Sequence, residues 1–223
     1  MFGYGSLQAF ILALVAILIS IMAHELAHGF VALWCGDTTA RDAGRLSLNP
    51  VSHFDLIGFL MLVFARIGYA RPIPVNPNNF RHRKRGMLFV ALSGIVLNLL
   101  LAFFFMPLYL LSINVIDSNA GYYLFVFLGF FISVNVNLAI FNVLPICPLD
   151  GFQAVETLVS PTCGFVKFMR NYGKYVLIIL VGISVIVSNT GLPFYLDPLG
   201  TYLSYVGGWI KQGFAAFWRL IVR

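Results

Sequence analysis

The chain carries very little charge. Of its 223 residues only 10% are Asp, Glu, Lys or Arg, against roughly 25% in soluble domains. So few charges cannot cover a water-facing surface of this size, which excludes an ordinary soluble globular protein and makes lipid the natural surrounding medium. Cysteine is scarce as well. Cys35, Cys147 and Cys163 are odd in number, far apart and without a CxxC pair, which excludes a disulfide framework. Internal repeats, low-complexity tracts and an appended soluble domain are all lacking. The net charge of +6 suits basic cytoplasmic loops and needs no nucleic-acid partner.

Hydrophobic residues, by contrast, make up 60% of the chain, with 22 Phe among them. Residues 7–34 are apolar apart from a His24/Glu25/His28 group. About 28 residues at ~1.5 Å each reach roughly 42 Å, enough to cross a bilayer. The stretch is too long for a cleaved signal peptide and has no basic region before it. Residues 35–53 are polar and include the extended-looking run Gly44 to Pro50. Residues 54–67 are apolar but too short to span, which predicts a re-entrant or interfacial piece. Residues 71–85 begin Arg-Pro-Ile-Pro-Val-Asn-Pro, which cannot be helical throughout, and end in the basic run Arg81 to Arg85. Further spans are predicted at 86–116, 121–149 and 174–188. Residues 199–222 contain Lys211 and Arg219 and either span or lie in the interface.

These features predict an all-α polytopic membrane protein with about four to six transmembrane helices and a small extended/β and re-entrant region after the first. The chain reads as a single membrane-embedded domain over 1–223, with a core at about 7–155 and C-terminal helices at about 172–223. The 35–85 region holds Arg41, Arg45, Arg66, Arg71, Arg81, Arg83, Lys84 and Arg85, and the 151–174 loop holds Lys167, Arg170 and Lys174. Residues 1–6, 117–120 and 189–198 hold no Lys or Arg. Basic loops stay cytoplasmic, so the N-terminus, the 117–120 turn and the 189–198 loop are expected outside. The other two regions are expected on the cytoplasmic side, and the membrane is expected to be a prokaryotic cytoplasmic membrane.

His24-Glu25-Leu26-Ala27-His28 is an HExxH sequence. On a helix, residues four apart share a face, so two imidazoles can grip one metal ion. Zinc would lower the pKa of a bound water toward ~7, and the carboxylate of Glu25, next to the first ligand, could take its proton and pass it to a leaving amine. Random placement of these His and Glu residues would give the pattern about 6×10⁻⁴ times per chain. Three ionisable residues within five positions of a span are costly, at about 2.5 kcal/mol or more each, and are functional by default.

A catalytic zinc generally takes three protein ligands. His82 lies in a basic run and reads as surface. His53 and Asp55 follow the first span. Asp150 is the best candidate, in the segment Asn142 to Gly151, where Pro145 and Pro148 break the helix and Gly151 allows a sharp turn. Alone, Asp150-Gly151 reads better as a turn ending a span. The topology favours it: the first and third spans run in the same direction, so Asp150 reaches the same side of the membrane as His24 and His28. His24 lies about ten residues before the inner end of its span, up to ~15 Å below that surface.

Together these residues resemble the site-2 protease family of intramembrane metalloproteases. The resemblance rests on HExxH in the first core span and on NxxPxxxxDG (Asn142, Pro145, Asp150, Gly151) at the end of the third. Gly44 to Pro50, Pro72 to Pro77 and Ser93 to Asn98 echo it more weakly, the last with Gly94-Ile95 where a Gly-Pro pair is usual. The resemblance covers residues 20–155 and is to the short form, without PDZ or CBS domains. It implies Zn²⁺ held by His24, His28 and Asp150, Glu25 as general base, and Asn142 and Asn98 holding substrate backbone. The substrates it implies are transmembrane proteins cut within the bilayer. Residues 35–53 are expected to offer the unwound substrate a strand edge. A membrane metal or ion transporter and an inactive family member that binds membrane proteins are the rival readings. Glu25 speaks against the first, because transport needs no base beside a ligand, and the intact motif against the second.

Overall fold

The computed structural model describes residues 7–49 and 71–221. The predicted piece at 54–67, and His53 and Asp55, lie outside the described residues.

Helix α1 (Leu7–Trp34) matches the first predicted span. It stops at Gly36, whose φ is +109°. There the Gly36 N–H donates to Leu33 O (3.0 Å) and the Asp37 N–H to Ala32 O (2.9 Å), the paired bonds of a Schellman close. The buried side of α1 includes Ala16, Ser20, His24, His28 and Ala32, a row at four-residue spacing. The helix is apolar all round, so residue size and packing choose its inner side. Small residues let neighbouring helices approach, as in other membrane bundles.

The extended/β region expected after α1 is not supported. No strand occurs among the described residues, and Thr39–Asp42 form a short helical turn, α2. Extended backbone appears later, in the proline-rich segment that ends at a 3-10 turn, Pro77–Asn79. Prolines there remove amide donors and fix φ, which prevents helix but also prevents a sheet ladder.

Helix α3 (Arg83–Ser112) starts within the basic run, slightly earlier than predicted, and buries Gly86, Val90, Gly94, Asn98, Ala102 and Met106. Val96, Leu100, Phe104 and Leu108 remain exposed, again four apart. Helix α4 (Asn119–Asn142) is capped by Ser118, whose Oγ accepts from the Gly121 N–H at 3.0 Å. It ends well before the predicted 149, because Pro145 and Pro148 release the chain into a loop that leads to α5 (Asp150–Leu158). Helices α1, α3 and α4 pack mutually. Ala13 and Ala16 meet Phe130 and Phe131, while Ala102 and Met106 meet Ile132 and Val136.

Helix α6 (Gly164–Thr190) is longer than the predicted 174–188, and α7 (Pro198–Arg219) is capped by Asp197. Among the described residues, four helical segments are long and apolar enough to cross a membrane: Leu7–Trp34, Arg83–Val115, Asn119–Asn142 and Gly164–Thr190. Less apolar, α7 nonetheless packs along the bundle. Its Tyr202 hydroxyl donates to Ile140 O (3.1 Å), its Lys211 Nζ to Ser133 Oγ (3.4 Å) and its Trp218 Nε1–H to Phe103 O (2.8 Å). These contacts move steadily away from the Asn142 end of α4, so α7 runs antiparallel to it.

Pro198 begins α7 at the Asn142 end of α4, the end of the bundle that also carries the Pro145–Asp150 loop. Helix α6 is tied down at that end too. A methyl on its Gly173 would lie 2.7 Å from Cys147 Cβ, and its Ser184 hydroxyl donates to Asp197 Oδ1.

Candidate metal centre

His24 and His28 lie on the packing side of α1, and α5 begins with Asp150 beside them. His24 Nε2 is 3.1 Å from Asp150 Oδ2, His28 Nε2 is 3.3 Å from the same oxygen, and the two Nε2 atoms are 3.1 Å apart. Among the described residues this is the one group of three or more His, Cys, Asp or Glu side chains able to share an ion. All three residues are buried.

The chemistry of the donors identifies what they suit. His28 Nδ1 lies 2.7 Å from Val90 O. A carbonyl only accepts, so Nδ1 donates there and Nε2 is the ring nitrogen turned toward His24 and Asp150. Ser93 Oγ donates to the same carbonyl at 2.7 Å. With both imidazoles unprotonated at Nε2, the three converging ligand atoms would be held together by a cation between them. Their spacing is close to the ~3.3 Å edge of a tetrahedron with bonds of about 2.05 Å, the geometry of a protein zinc site. The fourth vertex remains for water or substrate.

Loop geometry delivers the carboxylate. A methyl on Gly151 would lie 2.2 Å from Val143 O and 2.7 Å from Leu144 O. The start of α5 therefore stacks directly on the end of α4, which only glycine permits. Leu149 N–H donates to Ile146 O (2.8 Å) and closes the intervening turn.

Gly94 supports His24 in a similar way. A methyl there would lie 2.5 Å from Cε1 and 2.6 Å from Nδ1 of the His24 ring. Helix α3 runs unbroken through Gly94-Ile95, so it is the missing side chain at Gly94 that shapes the site. Gly94→Ala is expected to push the ring out of line and weaken zinc binding by about 10- to 100-fold, the usual cost of disturbing a ligand's support. Competition with a chromogenic chelator would measure it, and an unchanged affinity would show that the ring has room to move.

Glu25 is half-buried and stands outside the three-residue group. Its Oε2 accepts the Ile73 N–H at 3.0 Å, so the Pro72-Ile73-Pro74 segment holds it in place. Asn142 is half-buried at the end of α4, with Nδ2 donating to Leu138 O at 3.0 Å. Asn98 is wholly buried, and neither of its side-chain polar atoms has a hydrogen-bond partner. His82 is exposed at the start of α3, as its basic surroundings suggest.

The sequence reading missed Asp37. It is wholly buried and accepts bonds from the Thr39 N–H (3.1 Å), the Thr39 hydroxyl, the Asn76 N–H (2.7 Å) and Asn79 Nδ2 (2.8 Å). Burial acts to raise its carboxyl, but the hydrogen bonds from Thr39, Asn76 and Asn79 outweigh this and hold the group below the ordinary carboxylate range. The signal available in sequence was Gly36-Asp37-Thr38-Thr39, an Asp placed to cap the turn after a helix-ending glycine.

Comparison with known proteins gives the family. Residues 112–187, which include Asp150, match the model of peptidase family M50. A Bacillus subtilis protein, named as the zinc metalloprotease YwhC, is 34% identical over 91% of this chain and 88% of its own length. The chain belongs to peptidase family M50, the site-2 protease family. A Mycolicibacterium smegmatis protein named as the zinc metalloprotease Rip2 is 28% identical over 77% of the chain and 67% of its own length. Its Mycobacterium tuberculosis namesake is 29% identical over 68% and 59% respectively. No solved structure gives a significant match. Members of the family depend on zinc, and the donor set of His24, His28 and Asp150 fits that metal.

Proposed function

We propose that this chain is an intramembrane zinc endopeptidase that cuts transmembrane segments of membrane proteins. His24, His28 and Asp150 hold the metal, Glu25 is the general base, and the site opens to the cytoplasm. The observation that carries the reading is the triangle of three convergent ligand atoms with Glu25 outside it. Bound zinc supplies an acidified water and polarises the scissile carbonyl.

The protein's own groups do the rest. One oxygen of Glu25 is fixed by the Ile73 amide, which leaves the other free to take a proton from the attacking water and hand it to the leaving amine. The Val90 carbonyl fixes the tautomer and orientation of His28. Asn142, beside the Asp150 loop, is placed to hold substrate backbone. A transmembrane substrate hides its carbonyls in helical hydrogen bonds and must unwind first. The irregular segments at 71–80 and 145–148 are suited to line the water-filled approach, because such backbone at membrane depth must face a cavity or be buried in protein.

A transporter would need ligating groups along a path across the membrane, whereas the described residues offer one cluster at one end of the bundle. The test is cleavage of tagged single-span helices by the purified protein in detergent. Chelation is expected to abolish cleavage and stoichiometric zinc to restore it. Cleavage that persists in metal-free protein, or zinc flux in liposomes without cleavage, would overturn the proposal.

A further inference from the structure

We propose that Asp37 is a positioning residue for Glu25, acting through the segment from Pro72 to Asn79. The inference rests on Glu25 being the base.

Asp37 is joined rigidly to the helix that bears Glu25, because its own N–H completes the Schellman close on Ala32. Its carboxylate then grips the proline-rich segment at two points, the Asn76 N–H and the Asn79 amide. Upstream along that segment, the Ile73 N–H reaches back to Glu25 Oε2. The chain thus forms a closed circuit: α1, Asp37, the segment, Glu25 and α1 again. Pro72 and Pro74 flank Ile73 and restrict φ on either side of it, so a fixed anchor at Asn76 transmits to the Ile73 amide with little slack. The Ile73 side chain is buried in a cluster with Leu26 and Ala40. Arg45 holds the far end, donating from Nη2 to Arg71 O at 2.7 Å. Asp37's bonds go to Thr39, Asn76 and Asn79 and to none of the three metal-binding side chains. Losing Asp37 should therefore move the base and spare the metal.

A wholly buried carboxylate bonded on both oxygens could equally serve only to hold the fold together, and the two roles give different readouts. With Asp37→Ala, kcat is expected to fall about 10- to 100-fold, the scale of a misplacement near 1 Å. KM should stay within about twofold and zinc stoichiometry should be unchanged. Hydrogen–deuterium exchange should accelerate over residues 72–79, including the Ile73 amide, with α1, α3 and α4 protected as before. Asn79→Ala, an exposed side chain that removes one donor to Asp37, gives a milder version and serves if Asp37→Ala does not fold. Faster exchange at 72–79 with wild-type kcat in either variant would overturn the proposal. So would loss of zinc in step with activity, which marks a purely structural role. If Glu25 were not the base, Glu25→Gln would stay active while the exchange effect of Asp37→Ala persisted, so the two failures are distinguishable.

Discussion

Glu25→Gln is expected to abolish peptide hydrolysis, by about 10²- to 10⁴-fold or more, the usual contribution of a positioned base, while zinc stays bound. The reason is geometric. Glu25 is not one of the three converging donors, so its charge is not needed to hold the ion. Glutamine keeps the same length and a carbonyl oxygen that can still accept the Ile73 N–H. The variant therefore removes proton transfer and little else. Metal analysis of the purified variant, with cleavage of a single-span substrate in detergent, separates the two quantities. Undiminished turnover would sink the hydrolytic mechanism, and loss of zinc would make Glu25 a structural member of the site.

The second large effect is expected at Asp150. Asp150→Ala removes the only carboxylate corner of the triangle and leaves two imidazoles with Nε2 atoms 3.1 Å apart. Zinc affinity should fall by more than the about 10- to 100-fold that losing a supporting contact costs, and activity with it. Asp55→Ala and His53→Ala should leave zinc in place. Those residues precede an apolar segment, whereas Asp150 is held by a helix start stacked on α4, the rigid support that a metal site requires. Chelator competition on the three variants decides it. Full occupancy in Asp150→Ala together with loss in Asp55→Ala would overturn the assignment.

Parts of this site were legible in sequence because they depend on one helix at a time. The spacing of His24 and His28 puts them on one face wherever the helix lies, and an uninterrupted apolar run long enough for a bilayer identified α1 without reference to its neighbours. Asp150 was legible through a simple topological consequence: two spans running the same way bring their inner ends together. Other parts were not legible. Helix α3 is apolar on every side, so nothing in its composition shows that Gly94 faces an imidazole while Val96 faces outward. Asp37 reads as one polar residue in a polar connector, and its four donors come from three residues, two of them far along the chain. Asn98 is picked out by its motif, and its complete burial follows from close packing that the motif does not show.

From its sequence alone, this protein is suited to a bilayer and carries on its first helix two imidazoles on one face with a carboxylate beside them. Those properties follow from summed hydrophobicity and helical periodicity, both of which are local. Tertiary structure decided which carboxylate faces the imidazoles, what fixes Glu25, and in which direction α7 returns. Each of these depends on how closely two helices or a loop and a helix approach. In lipid that approach is set by side-chain size and by the need to satisfy buried polar groups rather than by a contrast of polarity along the chain.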